Sequence, residues 1–179
     1  FFDLAIGNPP FAPTKILADP EYKRLRFALH DYFFAKTIDR VRPGGVMAFV
    51  TSRYTMDKAG QAARQYIADR ADLVAAFRLP RTAFEKNAGT QVVTDILIFQ
   101  RRPEGQPAAG AQWLGQSEVT SIEGTPYLIN EYFAAHPENV IGQHSNKGKM
   151  RPGENEYTVL PREGNLGEQI AERMKSLPE

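Results

Sequence analysis

An α/β fold built on a mostly parallel sheet is what the sequence predicts. Three observations carry the prediction. Short apolar runs at Leu4-Ala5-Ile6, Val46–Val50 and Leu73–Phe77 are each closed by turn-forming or polar residues, as in strands buried on both faces. Segments with helical apolar spacing lie between them, the alternation that yields parallel strands. A last run, Val92–Phe99, follows the third after one turn and so returns as a hairpin partner. Parallel strands are therefore expected near Leu4, Val46 and Leu73, with an antiparallel strand near Ile96.

The first run leads straight into Asn8-Pro9-Pro10-Phe11. Each proline fixes φ and lacks an N–H, and a residue before proline is pushed out of the helical region. The tetrapeptide is thus a stiff ledge at the carboxyl end of a strand, the place where ligands bind in open α/β sheets. The Asn8 amide oxygen and the Pro9 carbonyl are acceptors, and Phe11 adds a flat apolar face. Two acceptors of this kind suit an exocyclic amine with two N–H donors. Accepting both hydrogen bonds moves electron density onto the nitrogen and makes it more nucleophilic. The alternative is a strand that ends in a Pro-Pro turn without chemistry.

After the ledge, Ala12–Pro20 reads as a loop broken at Pro13 and Pro20. Glu21–Val41 reads as mostly helical, with Leu25, Leu29, Phe33, Ile38 and Val41 on one stripe. Asp31 is expected to cap a second segment after a break at His30, and Pro43-Gly44-Gly45 to stop the helix. His30 reads as a surface or cap residue. Thr51-Ser52-Arg53-Tyr54 ends the second strand, where Arg53 either contacts a substrate or pairs with a carboxylate. Ala59–Arg70 reads as a helix with Ala63, Tyr66 and Ile67 inward and a weak start at Gly60. Lys86–Gly89 reads as a turn.

Pro103–Gln112 is rich in Pro, Gly and Ala and reads as a linker or long loop. The expected organisation is a sheet unit over 1–103, this connection over 104–112, and a mixed extension over 113–179. In the extension Tyr127–Ala135 and Leu166–Leu177 read as helices, and Lys147, Lys149 and Arg151 form a basic cluster, either a phosphate site or an exposed loop.

Composition narrows the partners. Of 179 residues, 22 are Lys or Arg and 21 are Asp or Glu, for a net charge of +1, so any nucleic-acid surface must be local. Cysteine is absent, which excludes disulfides and Cys-based metal sites and is compatible with a reducing cytoplasm. No apolar stretch is long enough to span a bilayer. The chain opens without Met inside a strand-like run, and reads as a segment of a longer protein.

Asp3-Leu4-Ala5-Ile6-Gly7-Asn8-Pro9-Pro10-Phe11 resembles the catalytic motif of amino-methyltransferases that use S-adenosylmethionine, above all the N6-adenine DNA methyltransferases. The resemblance covers roughly Phe1–Arg102. It implies the second half of a Rossmann-like methyltransferase sheet, with an antiparallel last strand. By the same resemblance Asn8 and Pro9 bind the adenine amine, Pro10 completes the catalytic motif, and Phe11 stacks on the flipped base. Asn8 also borders the cofactor. Phe84 is the candidate for a second aromatic against the base or else a core residue, Asn87 would shape the loop beside it, Lys15 is either a phosphate contact or, as a surface lysine commonly is, simply solvated, and Arg53 either touches DNA or pairs with a carboxylate. The family's cofactor-receiving glycine loop follows a first strand. None precedes Asn8 here, so the main S-adenosylmethionine pocket and a partner half of the domain are expected upstream.

The expected function is methylation of DNA adenine in a restriction-modification or phage-defence setting, in the cytoplasm, with the isolated segment inactive. Methylation of RNA guanine N2 or of a protein glutamine shares the motif, and Phe11 in place of Tyr favours DNA over the glutamine enzymes. A non-catalytic binding module of the same fold is the further alternative. The strand at Phe2–Ile6 is expected to be a sheet edge, covered by a second copy of the chain or by the tail after Trp113.

Overall fold

The structure, a computed structural model, describes residues 1–12, 14–85, 91–149 and 155–177. Its centre is a four-stranded sheet of β1 (Phe2–Gly7), β2 (Val41–Ser52), β3 (Ala71–Leu79) and β4 (Thr94–Arg101), in the order β1-β2-β4-β3. β1 pairs with β2 in parallel, and β4 runs antiparallel to both β2 and β3. The first three strands therefore point the same way and the fourth returns between two of them, as expected. The fold is α/β with a mixed sheet.

The crossover from β1 to β2 is helical only in its second half. A 3-10 turn at Lys23–Leu25 ends at Arg26, whose φ is +52°, and α1 spans Leu29–Arg40. Asp31 is not a cap: Ala28 takes that position without a side-chain bond. The Asp31 carboxylate instead meets Lys58 Nζ and His30 Nε2. Nor does Pro43-Gly44-Gly45 stop the helix. α1 ends where Val41 turns extended, and the three residues form an irregular stretch inside β2. Gly45 is required there, since a Cβ would lie 2.7 Å from Val41 Cγ1 and 2.8 Å from the Asp3 carbonyl oxygen.

Of the helix expected over Ala59–Arg70, α3 (Ala62–Ala68) is present, shorter at both ends, and a separate short helix, α2 (Tyr54–Asp57), precedes it. Lys58 is extended and Gly60 lies in open space, so neither continues a helix. Ala63 and Ile67 are buried, and Tyr66 is half-buried.

Beyond β4 the chain folds back onto the same core. β5 (Gln116–Thr120) and β6 (Pro126–Asn130) form a hairpin, followed by α4 (Glu131–Ala135). Tyr127–Ala135, expected as one helix, is thus a strand and then a helix. The break falls at Asn130, whose side chain accepts from Tyr132 N–H and caps the helix. A 3-10 turn at Pro137–Asn139 leads to the antiparallel pair β7 (Gln143–Ser145) and β8 (Thr158–Leu160), and α5 spans Leu166–Met174. No helix among the described residues is long and apolar enough to cross a membrane.

The core lies on one side of the sheet. Phe34 and Ile38 of α1, Ile67 of α3, Phe49 of β2 and Leu97 and Phe99 of β4 meet Trp113, Phe133 and Val159 of the tail in one buried cluster. Phe34 packs edge-on to Phe49 at 5.0 Å, and Phe99 meets Trp113 at 5.1 Å between ring centroids. The tail attaches at β3: Ile141 N–H donates to Arg78 O (2.8 Å) and Arg81 N–H to Val159 O (2.9 Å). It does not fold over β1, as one expectation held, because β1 is at the opposite edge of the sheet. On the other side of the sheet the cross-strand register aligns Leu4 with Val46, Ile6 with Ala48 and Ile98, and Val50 with Ile96. Phe2, Leu4 and Ile6 are 62%, 53% and 75% exposed there.

Candidate active-site edge

The carboxyl ends of β1, β2 and β3 form one edge of the sheet, and most residues singled out from the sequence lie on it. Gly7 ends β1 against Phe49, whose Cε1 would be 3.1 Å from a Cβ at Gly7. The following ledge has Pro9 buried, Asn8 and Pro10 exposed, and Phe11 45% exposed. A buried proline flanked by an exposed amide and an exposed ring is the arrangement a stiff presenting turn requires. Beside it is a shallow hollow of about 500 Å³ bordered by Phe2, Leu4, Asn8, Pro9, Phe33 and Phe49. Phe33 reaches it because α1 begins at the same edge.

At the end of β2, Arg53 is held on several sides. Its N–H donates to Val93 O (3.2 Å), its Nη1 to Asp57 Oδ2 (3.2 Å) and its Nη2 to Tyr54 OH (3.1 Å). The guanidinium lies 4.3 Å from the Tyr54 ring centroid and 5.0 Å from that of Tyr157. Of the two roles expected for Arg53, pairing with a carboxylate is thus present. Tyr54, which is 45% exposed, escaped the sequence reading. An aromatic beside an arginine at a strand end was the available signal.

At the end of β3, Pro80 is buried and Arg81–Phe84 forms a turn in which Phe84 is half-buried. Asn87 and Arg151 lie outside the described residues. Lys15 is exposed and pairs through an isolated bridge with Ala28, so it stands near the start of α1. His30 has a buried Nδ1 without a partner, and its Nε2 meets Asp31 at 3.3 Å.

Behind this edge is a cluster that the sequence did not reveal. Arg78, fully buried in β3, donates from Nε and Nη2 to both oxygens of Asp95 (2.8 Å each). Its Nη2 and Nη1 also reach Asp57 Oδ1 (2.8 Å) and Oδ2 (3.0 Å), and Nη1 reaches Tyr157 OH (3.3 Å). The five N–H groups of a guanidinium are all used. Burial alone would lower the pKa of Arg78, but Asp57 and Asp95 hold it well above the ordinary value. Burial lifts the Asp95 carboxyl above its usual range although Arg78 pulls it down. Asp57 also accepts from Asn130 N–H (2.9 Å), so one carboxylate joins α2, β3 and the tail.

For S-adenosylmethionine the residues present fit only part of a site. Asn8 stands at the strand end with an exposed amide. Gly44 and Gly45 lie inside β2, and Gly45 is occupied in close packing against Val41 and Asp3. They do not form a strand-to-helix phosphate-type loop.

This edge presents an Asn-Pro-Pro-Phe ledge at the end of a parallel strand of a mixed α/β sheet, and comparison with known proteins finds the same segment in methylases. Residues 1–82 match the model of the Eco57I restriction-modification methylase family, which bears out the resemblance to N6-adenine DNA methyltransferases over that stretch. Two curated proteins are similar in sequence. One is Defense against restriction protein B of Escherichia phage P1, 26% identical over 106 residues, covering 57% of this chain and 5% of that protein. The other is the type II methyltransferase M.BanIII of Aneurinibacillus aneurinilyticus, 27% identical over 100 residues, covering 51% of this chain and 17% of that protein. The matches thus take up a twentieth and about a sixth of these relatives' lengths. Among solved structures, a type I restriction-modification complex is 15% identical with a TM-score of 0.47, covering 97% of this chain and 42% of that one. The EcoKI M protein is 13% identical with a TM-score of 0.40, covering 97% and 46%.

Proposed function

We propose that this chain is the catalytic half of a DNA methyltransferase that acts on the N6 amine of adenine. The observation that carries the reading is the ledge itself: Asn8 and Phe11 are exposed around a buried Pro9 at the carboxyl end of β1. The strand order β1-β2-β4-β3 with β4 reversed supports it, because this is the second half of the sheet that the resemblance implies. The open β1 edge and the exposed Phe2, Leu4 and Ile6 support a further part of the same domain as partner.

The roles follow from donor and acceptor chemistry. The N6 amine donates one N–H to the Asn8 amide oxygen and the other to the Pro9 carbonyl, which localises its lone pair for attack. Pro9 and Pro10 keep both acceptors in place because neither can rotate about φ. Phe11 stacks on the base once it has left the duplex. S-adenosylmethionine would supply an electrophilic methyl on sulfur, the sulfur leaving with the S–C electron pair as a neutral thioether, while the methylated amine held by Asn8 and Pro9 would release one proton to solvent. Phe84, in the turn that follows β3, would complete the base pocket.

Asn8→Ala in the full-length protein tests the reading. Transfer of a labelled methyl group to adenine in duplex DNA is expected to fall to background while the thermal unfolding midpoint stays unchanged. Near-normal turnover would remove Asn8 from the site.

A further inference from the structure

We propose that Tyr54 is a DNA-contacting residue, the open face of its ring taking an unstacked base beside the target adenine. The proposal rests on the methyltransferase reading and adds a contact that the Asn8 ledge does not contain.

The first argument is a ring with one face in use. The Arg53 guanidinium covers one face of Tyr54, 4.3 Å from the ring centroid, and also lies over the buried Tyr157 ring at 5.0 Å. Tyr54 is nonetheless 45% exposed, so its other face is left to solvent. A ring already backed by a cation accepts a further flat π system on its free face, and every nucleobase presents one. Arg53 Nη2 also donates to the Tyr54 hydroxyl (3.1 Å), which leaves the hydroxyl proton for a second partner.

The second is order. Tyr54 N–H donates to Ser52 Oγ (3.4 Å), Arg53 N–H donates to Val93 O (3.2 Å), and the Thr51 and Thr55 hydroxyls share a buried bond of 2.7 Å. Arg53 Nη1 donates to Asp57 Oδ2 (3.2 Å), and Asp57 is held in turn by Arg78 and by Asn130 N–H. The Arg53 side chain is only 16% exposed and its charge is met by Asp57, so it backs the ring rather than reaching for phosphate. An aromatic fixed before the ligand arrives loses little freedom on binding.

The third is place. Gly7 of β1 pairs with Phe49 of β2, and β2 runs on to Ser52. At about 3.3 Å per residue, the end of β2 stands about 7 Å beyond Asn8 along the strand direction, roughly two base steps of about 3.4 Å. The base that meets Tyr54 is therefore a neighbour of the one held at Asn8. Phe84 does not compete for it, because Phe84 follows β3 at the far edge of the sheet.

The test uses the full-length protein without S-adenosylmethionine and two strands of about 12 nucleotides, one of single-stranded DNA and one with an abasic site in place of every base. Tyr54→Ala is expected to weaken binding of the DNA strand roughly 5- to 150-fold, the range for loss of a base-stacking aromatic, and to leave binding of the abasic strand unchanged. Tyr54→Trp keeps the stack and is expected to bind as the parent does. Its added indole emission, read as the difference from the parent, is expected to be quenched by the DNA strand and not by the abasic one. Absence of DNA-strand binding by the parent, parent-like binding by Tyr54→Ala, an equal loss on the abasic strand, or an unquenched indole would each overturn the proposal. If Tyr54→Ala does not fold, the indole readout decides alone. These readouts need no methyl transfer, so a stacked base without transfer would keep Tyr54 in place and sink the methyltransferase reading alone.

Discussion

Arg78 shows how much one residue can hold. Its partners Asp95, Asp57 and Tyr157 lie 17, 21 and 79 positions away, on β4, α2 and the tail. Breaking a buried pair by removing one partner leaves uncompensated charge and costs about 3–5 kcal/mol. Arg78→Met is therefore expected to lower stability by that order, read as a fall in the urea midpoint at constant slope. His144 extends the same chain of bonds. Arg78 donates to Tyr157 OH, and the Tyr157 hydroxyl lies 2.9 Å from His144 Nδ1. Burial, then the charge of Arg78, lowers the His144 pKa from its ordinary 6.5. The unfolded chain thus takes up a proton at pH values where the folded one does not, so stability is full above about pH 6.5 and falls as pH drops below it. His144→Gln is expected to flatten that fall, measured as the unfolding midpoint between roughly pH 7.5 and 5. None of this was legible in the sequence, because a buried charge cluster is assembled from distant positions. The Asn8 ledge was legible, because its geometry is set by four adjacent residues.

At the scale of elements, strands were read more faithfully than helices. The three parallel strands and the reversed fourth follow from apolar runs and from the short turn before Val92. The helices went wrong where a local signal competed with packing. Pro43-Gly44-Gly45 looks like a helix stop, yet it serves as a bulge in β2 that lets Asp3 of β1 approach. Gly45→Ala is accordingly expected to destabilise the chain by about 1–3 kcal/mol, the cost of overpacking, because its Cβ would meet backbone as well as Val41. Chemical denaturation checks the cost, and faster amide exchange in β1 than in β3 checks its location. In the tail, exposure alternates only from Pro126 to Ile129, and Asn130 then caps the helix that follows, a break that one helical reading conceals. Trp113 and Phe133 pack with Phe99 and Arg78 respectively, so the sheet and the tail share a core. Phe133→Ala is expected to cost about 3–5 kcal/mol and to weaken the tail and β3 together, seen as one cooperative transition at lower denaturant.

At the scale of the molecule, the two sides of the sheet differ, and the difference determines what the chain can do alone. One side is sealed by α1, α3 and the tail, which places the ledge and the Arg53–Tyr54 pair at fixed positions on one edge. The other side leaves Phe2, Leu4 and Ile6 open beside half-buried Val46, Ala48 and Val50, and among the described residues no strand pairs with the outer edge of β1. Parallel strands are ordinarily covered on both faces, so the Asn8 ledge stands next to an uncovered layer. The hollow beside Asn8 is open, and the glycines of β2 are committed to packing, so the described residues offer S-adenosylmethionine one polar end and little enclosure. The isolated chain is therefore expected to bind S-adenosylmethionine too weakly to measure by calorimetry at micromolar protein and to transfer no methyl group. Adding a polypeptide that completes the β1 side is expected to restore both. Tight binding by the chain alone, with a dissociation constant near 1 μM or about −8 kcal/mol, would place the whole cofactor site within these residues and overturn the two-part reading.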